Sequence, residues 1–331
     1  MKTAHQHHLT RRNVLLTSLG MAATAMAGPL AAQTAWPQKP LRMVVPYPAG
    51  GVNDVVARMF SDALAATLGQ PVVVENKPGA GGTIGMADLA KSDDQHTFGF
   101  AAISPLTLNP YLMKVTYDPL EDIVPVASVM YSPVYVMATT AFQGRTFADL
   151  LAQVKTGKGV TIATSGYGTL AHIMVEQLIR ATGANFVHVP YKGGSQLIAD
   201  AAGAQFDVLL ANPFAPVNAL IDQGKLRVLA TTGPQRATAF PQVATLGELG
   251  FDKANLTSVF GFYAAKGTAP AAIQRFNHEV NRLLSSAAMQ QKLRQLDNTP
   301  RAMSPEQFTA LVRKEYALNG VVIEQANIKA Q

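Results

Sequence analysis

Short apolar, β-branched runs alternate along most of this chain with longer stretches whose apolar positions recur every three or four residues. The runs at 41–45, 72–74, 97–101, 124–130, 134–139, 160–164, 186–189, 206–210, 227–231 and 260–264 predict strands. Between the first two, residues 54–68 put Val55, Val56, Met59, Phe60, Ala63, Leu64 and Leu68 on one face, which predicts a helix stopped by Gly69. Residues 82–90, 147–155, 170–182, 196–202 and 217–224 predict further helices. Two long amphipathic helices close the chain. The first opens at Thr268 or Pro270 and uses Ile273, Phe276, Val280, Leu283 and Leu284. The last opens on Ser304-Pro305-Glu306-Gln307, with a capping serine, proline at the first helical position and glutamine two residues later. Alternating β and α implies an α/β fold with parallel sheets and right-handed crossovers.

Two strand-to-helix junctions stand out. The first runs Val44-Val45-Pro46-Tyr47-Pro48-Ala49-Gly50-Gly51-Val52-Asn53-Asp54, with Asp54 at the expected helix N-cap. The second runs from strand 160–164 into Ser165-Gly166-Tyr167-Gly168-Thr169 and a helix with His172 in its first turn. Such turns present free backbone N–H groups at the positive end of a helix, which suits an anion. Two of them suggest two lobes facing a common cleft, with the ligand at the carboxyl ends of the strands. The alternative is a pair of ordinary tight turns whose glycines serve only positive φ.

Ahead of the first strand, Thr10-Arg11-Arg12-Asn13-Val14-Leu15-Leu16 is a twin-arginine pattern. An apolar run follows to Ala27, ending on the small residues Ala25-Met26-Ala27. This predicts a Tat-type signal peptide over residues 1–27. An ordinary Sec leader, or cleavage after Ala32, is the alternative. Removal of the leader would take away Lys2, Arg11 and Arg12 and no acid, lowering the net charge from +6 to +3. The expected mature protein is therefore periplasmic and only mildly basic, with no stripe suited to nucleic acid. His5, His7 and His8 would leave with the leader.

Cysteine is absent, which excludes disulfides and thiol chemistry. No Walker A pattern occurs. The cluster Gly79-Ala80-Gly81-Gly82-Thr83-Ile84-Gly85 lacks the spacing of a dinucleotide loop, and Ala163 breaks any Gly-x-Ser-x-Gly pattern around Ser165. His96, His172, His188 and His278 show no zinc-ligand spacing. These observations argue against an enzyme and predict neither cofactor nor metal.

Pro46-Tyr47-Pro48-Ala49-Gly50-Gly51-Val52-Asn53-Asp54 followed by Ala57-Arg58 resembles the first signature of the Bug (TctC-like) substrate-binding proteins, which serve tripartite tricarboxylate transporters. Gly69-Gln70-Pro71-Val72-Val73-Val74-Glu75-Asn76-Lys77-Pro78-Gly79-Ala80-Gly81-Gly82 matches a second signature. Tyr117-Asp118-Pro119-Leu120-Glu121-Asp122, Val189-Pro190-Tyr191-Lys192-Gly193-Gly194 and the Ser304 start of the last helix follow in order. The resemblance implies a type II periplasmic-binding-protein fold, two α/β lobes with a hinge and a central cleft. Lobe 1 would hold residues 36–142 plus 260–331 and lobe 2 residues 143–259, with hinge strands near 139–142 and 257–260. It also implies a small carboxylate ligand (a di- or tricarboxylate, an amino acid or an aromatic acid) held between the glycine-rich loops with bridging waters. The partner implied is a membrane permease, or alternatively a sensor's periplasmic domain, and the receptor itself would be a monomer.

Carried onto this sequence, the first loop supplies Tyr47, Ala49, Gly50, Gly51, Asn53 and Asp54, and the second Ser165, Gly166, Tyr167, Gly168, Thr169 and His172. Ser104, Tyr191, Gly193 and Asn212 follow other strands and complete the implied site. Phe is common in the family where this chain has Tyr47, and a Trp common near Val259-Phe260 is replaced. Asp54 has two readings, a helix cap or a contact to a ligand amino group. His172 either donates to the ligand or caps and packs. Tyr191 reads as a packed aromatic or a cleft residue, and Lys192 as a solvated lysine or an anion partner. No arginine falls in either loop, which favours recognition by backbone dipoles and water.

Overall fold

The second sheet repeats the strand order of the first. In the computed structural model, which describes residues 36–326 and Ile328, β1 (Leu41–Val45) lies between β2 (Val72–Asn76) and β3 (Thr97–Ala102), parallel to both. β10 (Ser258–Ala265) runs antiparallel between β3 and β4 (Ile123–Ser132), and β11 (Thr299–Pro300) adds an edge pairing. In the second sheet β6 (Val160–Thr164) lies parallel between β7 (Phe186–Pro190) and β8 (Val208–Ala211). β5 (Tyr135–Thr139) runs antiparallel between β8 and β9 (Leu226–Ala230). Each sheet thus has four strands running in one direction and one antiparallel strand inserted among them, β10 in the first and β5 in the second, with β11 a further short antiparallel edge. The expected all-parallel sheets are mixed, because β5 and β10 enter as crossing strands.

The chain passes from the first sheet to the second between β4 and β5, at Pro133 and Val134, and returns ahead of Ser258. The first passage precedes the expected segment 139–142, because β5 pairs wholly within the second sheet. The predicted leader, residues 1–27, lies outside the described residues.

Period-2 alternation builds the second sheet's two faces. Val136 and Ala138 of β5, with Ile162, Val208 and Leu210, pack under α5 (Phe147–Lys155) and α6 (Leu170–Thr182). Tyr135, Met137, Ala163 and Leu209 face α7 (Gly194–Ala202) and α8 (Ala215–Asp222). The first sheet packs α1 (Val52–Leu68) and α9 (Pro270–Leu284) through aromatics. Phe276 of α9 stacks on Phe98 at 4.0 Å and meets Phe262 edge-on at 5.2 Å. Phe60 of α1 also meets Phe262 edge-on, at 5.6 Å. The remaining helices of the first half are α2 (Thr83–Ala90), the single turns α3 (Ser104–Thr107) and α4 (Asn109–Leu112), α10 (Ala287–Gln295) and α11 (Pro305–Gln325).

Phe276 is fully buried, so Phe276→Ala is expected to cost about 3–5 kcal/mol. Urea unfolding should show a lower midpoint at unchanged slope. A loss below about 1 kcal/mol would contradict the central place given to this stack.

Candidate functional site

The carboxyl ends of β1 and β6 each feed a turn that ends at a helix start, and the two turns meet across the cleft. Helix α1 begins at Val52 with Gly51 as N-cap and no side-chain cap. Its first-turn N–H groups therefore have no intrahelical partner. Asp54 is not the cap. Its carboxylate accepts from Gly50 N–H at 2.9 Å, from Arg58 Nε at 3.0 and 3.1 Å and from Asn76 Nδ2 at 3.0 Å. Burial opposes its charge, but the bonds from Arg58, Gly50 and Asn76 outweigh it and hold the group below the usual carboxylate range. Asn76 also donates to Tyr47 O at 3.0 Å. Asp54 and Asn76 therefore hold the first loop in shape.

Helix α6 begins one residue after Thr169, whose Oγ1 accepts from His172 N–H at 3.3 Å and donates to Gly166 O at 2.7 Å. His172 is only 1% exposed and lies behind the second loop. Its ring packs at a tilt of 35° on Tyr167 at 4.1 Å and stacks on His188 at 4.9 Å, and Nδ1 accepts from Gly168 N–H at 3.4 Å. His188 is held down at about 4 by burial and by the neighbouring His172, and pairs with Thr164 Oγ1 at 2.8 Å. The packed His172–His188 pair thus supports the loop from beneath.

Between the two turns lies a cavity of ≈ 60 Å³, room for several waters or a small polar head. Tyr47, Gly51, Asn53 and Ser104 line it from the first half, and Ser165, Thr169, Gly194 and Asn212 from the second. Asn53 Oδ1 accepts from Ala102 N–H at 3.1 Å, so the group it has to offer is its NH₂. Asn212 Nδ2 donates to Pro133 O at 2.9 Å and to Ser258 Oγ at 3.0 Å, tying this wall to both crossing segments. Burial pushes the Tyr47 phenol far above its ordinary value, and its hydroxyl, a neutral donor, reaches Gly81 O at 3.2 Å. None of the lining side chains is ionised, and the apolar walls come from Val134, Leu197, Leu210, Phe214 and Phe260.

Of the sequence-predicted residues, Ala49, Gly50 and Asp54 stand outside this cavity, as do Gly168, His172 and Gly193. Gly166, Tyr167 and Tyr191 line an adjoining outer groove. The Tyr191 hydroxyl donates to Asp200 Oδ2 at 2.8 Å. The sequence does not single out Ser258; Phe260 figures there only as the place of a replaced Trp, and Gly194 and Asn76 only as signature residues without a site role. Gly194 had a local signal, the Gly193-Gly194 pair opening a helix after a strand; the others are brought in by pairing between distant strands.

Glycines permit the two halves to touch. A Cβ on Gly193, at φ +155°, would stand 2.5 Å from Pro48 Cδ. A Cβ on Gly81, at φ +60°, would stand 2.8 Å from Tyr167 O. Asn109 Nδ2 donates to Gly81 O at 2.9 Å beside this contact.

Two α/β halves that bring helix N-termini together over a neutral, partly apolar cavity define a two-lobed solute receptor. The sequence pattern of the tripartite tricarboxylate transporter family receptor matches residues 56–328, and the chain belongs to that family, TctC. It is similar to Protein BugT of Bordetella pertussis, with 34% identity over 95% of this chain and 98% of the relative. The fold matches that of the periplasmic binding protein BugD, with a TM-score of 0.84 and 28% identity over 89% of this chain and all of that one. It also matches Rpa4515 of R. palustris, solved with adipate, with a TM-score of 0.85 and 27% identity over 90% of this chain and all of that one. The fold is that of the periplasmic binding proteins, and the family is one of receptors and not of enzymes. Among the described residues no helix is long and apolar enough to cross a membrane.

Asp54 sets a pH dependence. A depressed carboxylate contributes stability above its unfolded value, near 4, and loses it as the pH falls through the lower folded value. Asp54→Asn should cost about 1–3 kcal/mol at pH 7. The gap to the parent in denaturant unfolding should narrow progressively as the pH falls below about 4. A gap that stays constant as the pH falls would rule out the ionised carboxylate as the anchor of the first loop.

Proposed function

We propose that this chain is the exported, periplasmic receptor of a tripartite tricarboxylate-type uptake system, and that it captures a small carboxylate and presents it to a membrane permease. The observation that carries the reading is the neutral cavity into which the starts of α1 and α6 both open. Backbone N–H groups stabilise an anion there without a charged side chain that would itself need desolvation. The adipate bound by the structural neighbour Rpa4515 supports the same ligand class. Hydroxyls and amides from Tyr47, Asn53, Ser104, Ser165, Thr169 and Asn212 would complete the carboxylate's hydrogen bonds, directly or through water.

In this reading the ligand binds one lobe and the other closes by hinge motion. The lobes follow the two sheets, and flexing occurs at the crossing segments that Asn212 ties together, at Pro133 and Ser258.

The charge test uses Gly51, where a Cβ would have room, its nearest neighbours being Pro48 O at 3.7 Å and Gly194 N at 3.9 Å. Gly51→Asp sets a carboxylate beside the bound one. Two like charges at 4 Å cost about 4 kcal/mol at an effective dielectric of 20. Calorimetric affinity for carboxylates should fall about a thousandfold, while the unliganded melting temperature barely moves. Unchanged affinity would dismiss the first loop as the anion site. Closure has its own test, because Gly193→Ala forces Pro48 away. Small-angle scattering of the variant with saturating carboxylate should give a larger radius of gyration than the liganded parent. An identical radius would show that the glycine is dispensable for closure.

A further inference from the structure

The cavity does not end at its two anion-facing turns. Tyr47 and Ser165 line it and also line the outer groove, so the two spaces adjoin at these residues. The groove holds ≈ 650 Å³ against ≈ 60 Å³ within. A carboxylate and a short stem fill the inner space, and any larger body attached to them has to pass Tyr47 and Ser165 into the groove.

The groove's lining is specific. Pro48, Pro78 and Met113 supply flat or adaptable apolar surface, and Tyr167 and Tyr191 supply rings. Both rings are fixed before any ligand arrives. Tyr167 packs at a tilt on buried His172 at 4.1 Å. Tyr191 meets Phe206 edge-on at 5.7 Å and is held at its hydroxyl by Asp200. Fixed rings and a thioether favour a flat aromatic body over a flexible polar one, since little side-chain freedom is lost on contact. The groove's sole ionised lining residue is Lys192, which is exposed and forms no ion pair among the described residues.

Resting on the carboxylate-receptor reading, we infer that the preferred ligand is an arylalkanoate, a carboxylate joined to an aromatic ring by a short apolar stem. Its carboxylate sits in the inner cavity, its ring lies in the outer groove against Met113, Tyr167 and Tyr191, and Lys192 favours an anionic substituent at the ring's far end. The groove thereby selects among carboxylates that the backbone cradle alone would not distinguish.

Calorimetry with propanoate, 3-phenylpropanoate and 3-(4-carboxyphenyl)propanoate tests this. The phenyl compound should bind at least about tenfold more tightly than propanoate, and the second carboxylate should add a further gain of about threefold at low salt. Met113→Ala should weaken the two aryl compounds by about fivefold or more and leave propanoate within about twofold. Lys192→Glu, at an exposed position, should remove the gain from the second carboxylate alone. Equal affinity for propanoate and 3-phenylpropanoate, or an equal effect of Met113→Ala on both, overturns the inference and leaves the receptor reading intact. Failure of all three acids to bind overturns both.

Discussion

An α-helix cannot satisfy its own first N–H groups, and this chain sets two such helix starts, at Val52 and Leu170, against one small cavity. A buried N–H without a partner is costly. The site therefore favours an acceptor, and the aligned peptide dipoles favour a negative one. Neither helix start stands alone. Asp54 and Asn76 fix the turn before α1, and Thr169 with His172 fixes the turn before α6. The ionisable groups nearest the cavity are consumed in holding backbone. Asp54 is neutralised by Arg58, and His188 stays neutral. The arrangement separates the ionisable side chains that shape the loops from behind from the N–H, OH and NH₂ groups that face the cavity in front, which the proposed function assigns to the ligand.

Local patterns made the local parts legible. Gly69 ends α1 in the left-handed conformation at φ 70°, and Ser304 and Gln307 form the reciprocal cap that opens α11. Both glycine-rich turns lie between a strand and a helix, where the alternating pattern put them. The signature around Tyr47 and Asn53 led to residues that line the cavity, as did Ser104, Ser165, Thr169 and Asn212.

The remainder rests on contacts between distant residues. Asp54 occupies the third helical position and not the cap, because Gly51 takes the extended cap conformation. Residue spacing gives no sign that Asn76, at the end of β2, is what fixes the shape of the Tyr47 turn. Ser258 and Phe260 come to the cavity because β10 inserts antiparallel between β3 and β4. A β/α pattern read in order gives no warning of such a strand. The same insertion, with its counterpart β5, moved the first crossing to Pro133 and made both sheets mixed. His172 was open to two readings, and the structure places it buried between Tyr167 and His188 behind the second loop.

The central claim is that backbone N–H groups from both halves grip one carboxylate. Amide-resolved ¹⁵N–¹H spectra, recorded while a binding carboxylate is titrated in, address it directly. The account predicts that the amide protons of Val52 and Asn53 in α1 and of Leu170 and Ala171 in α6 move downfield together, with one shared saturation curve. Saturable binding that leaves either helix start unmoved would contradict it.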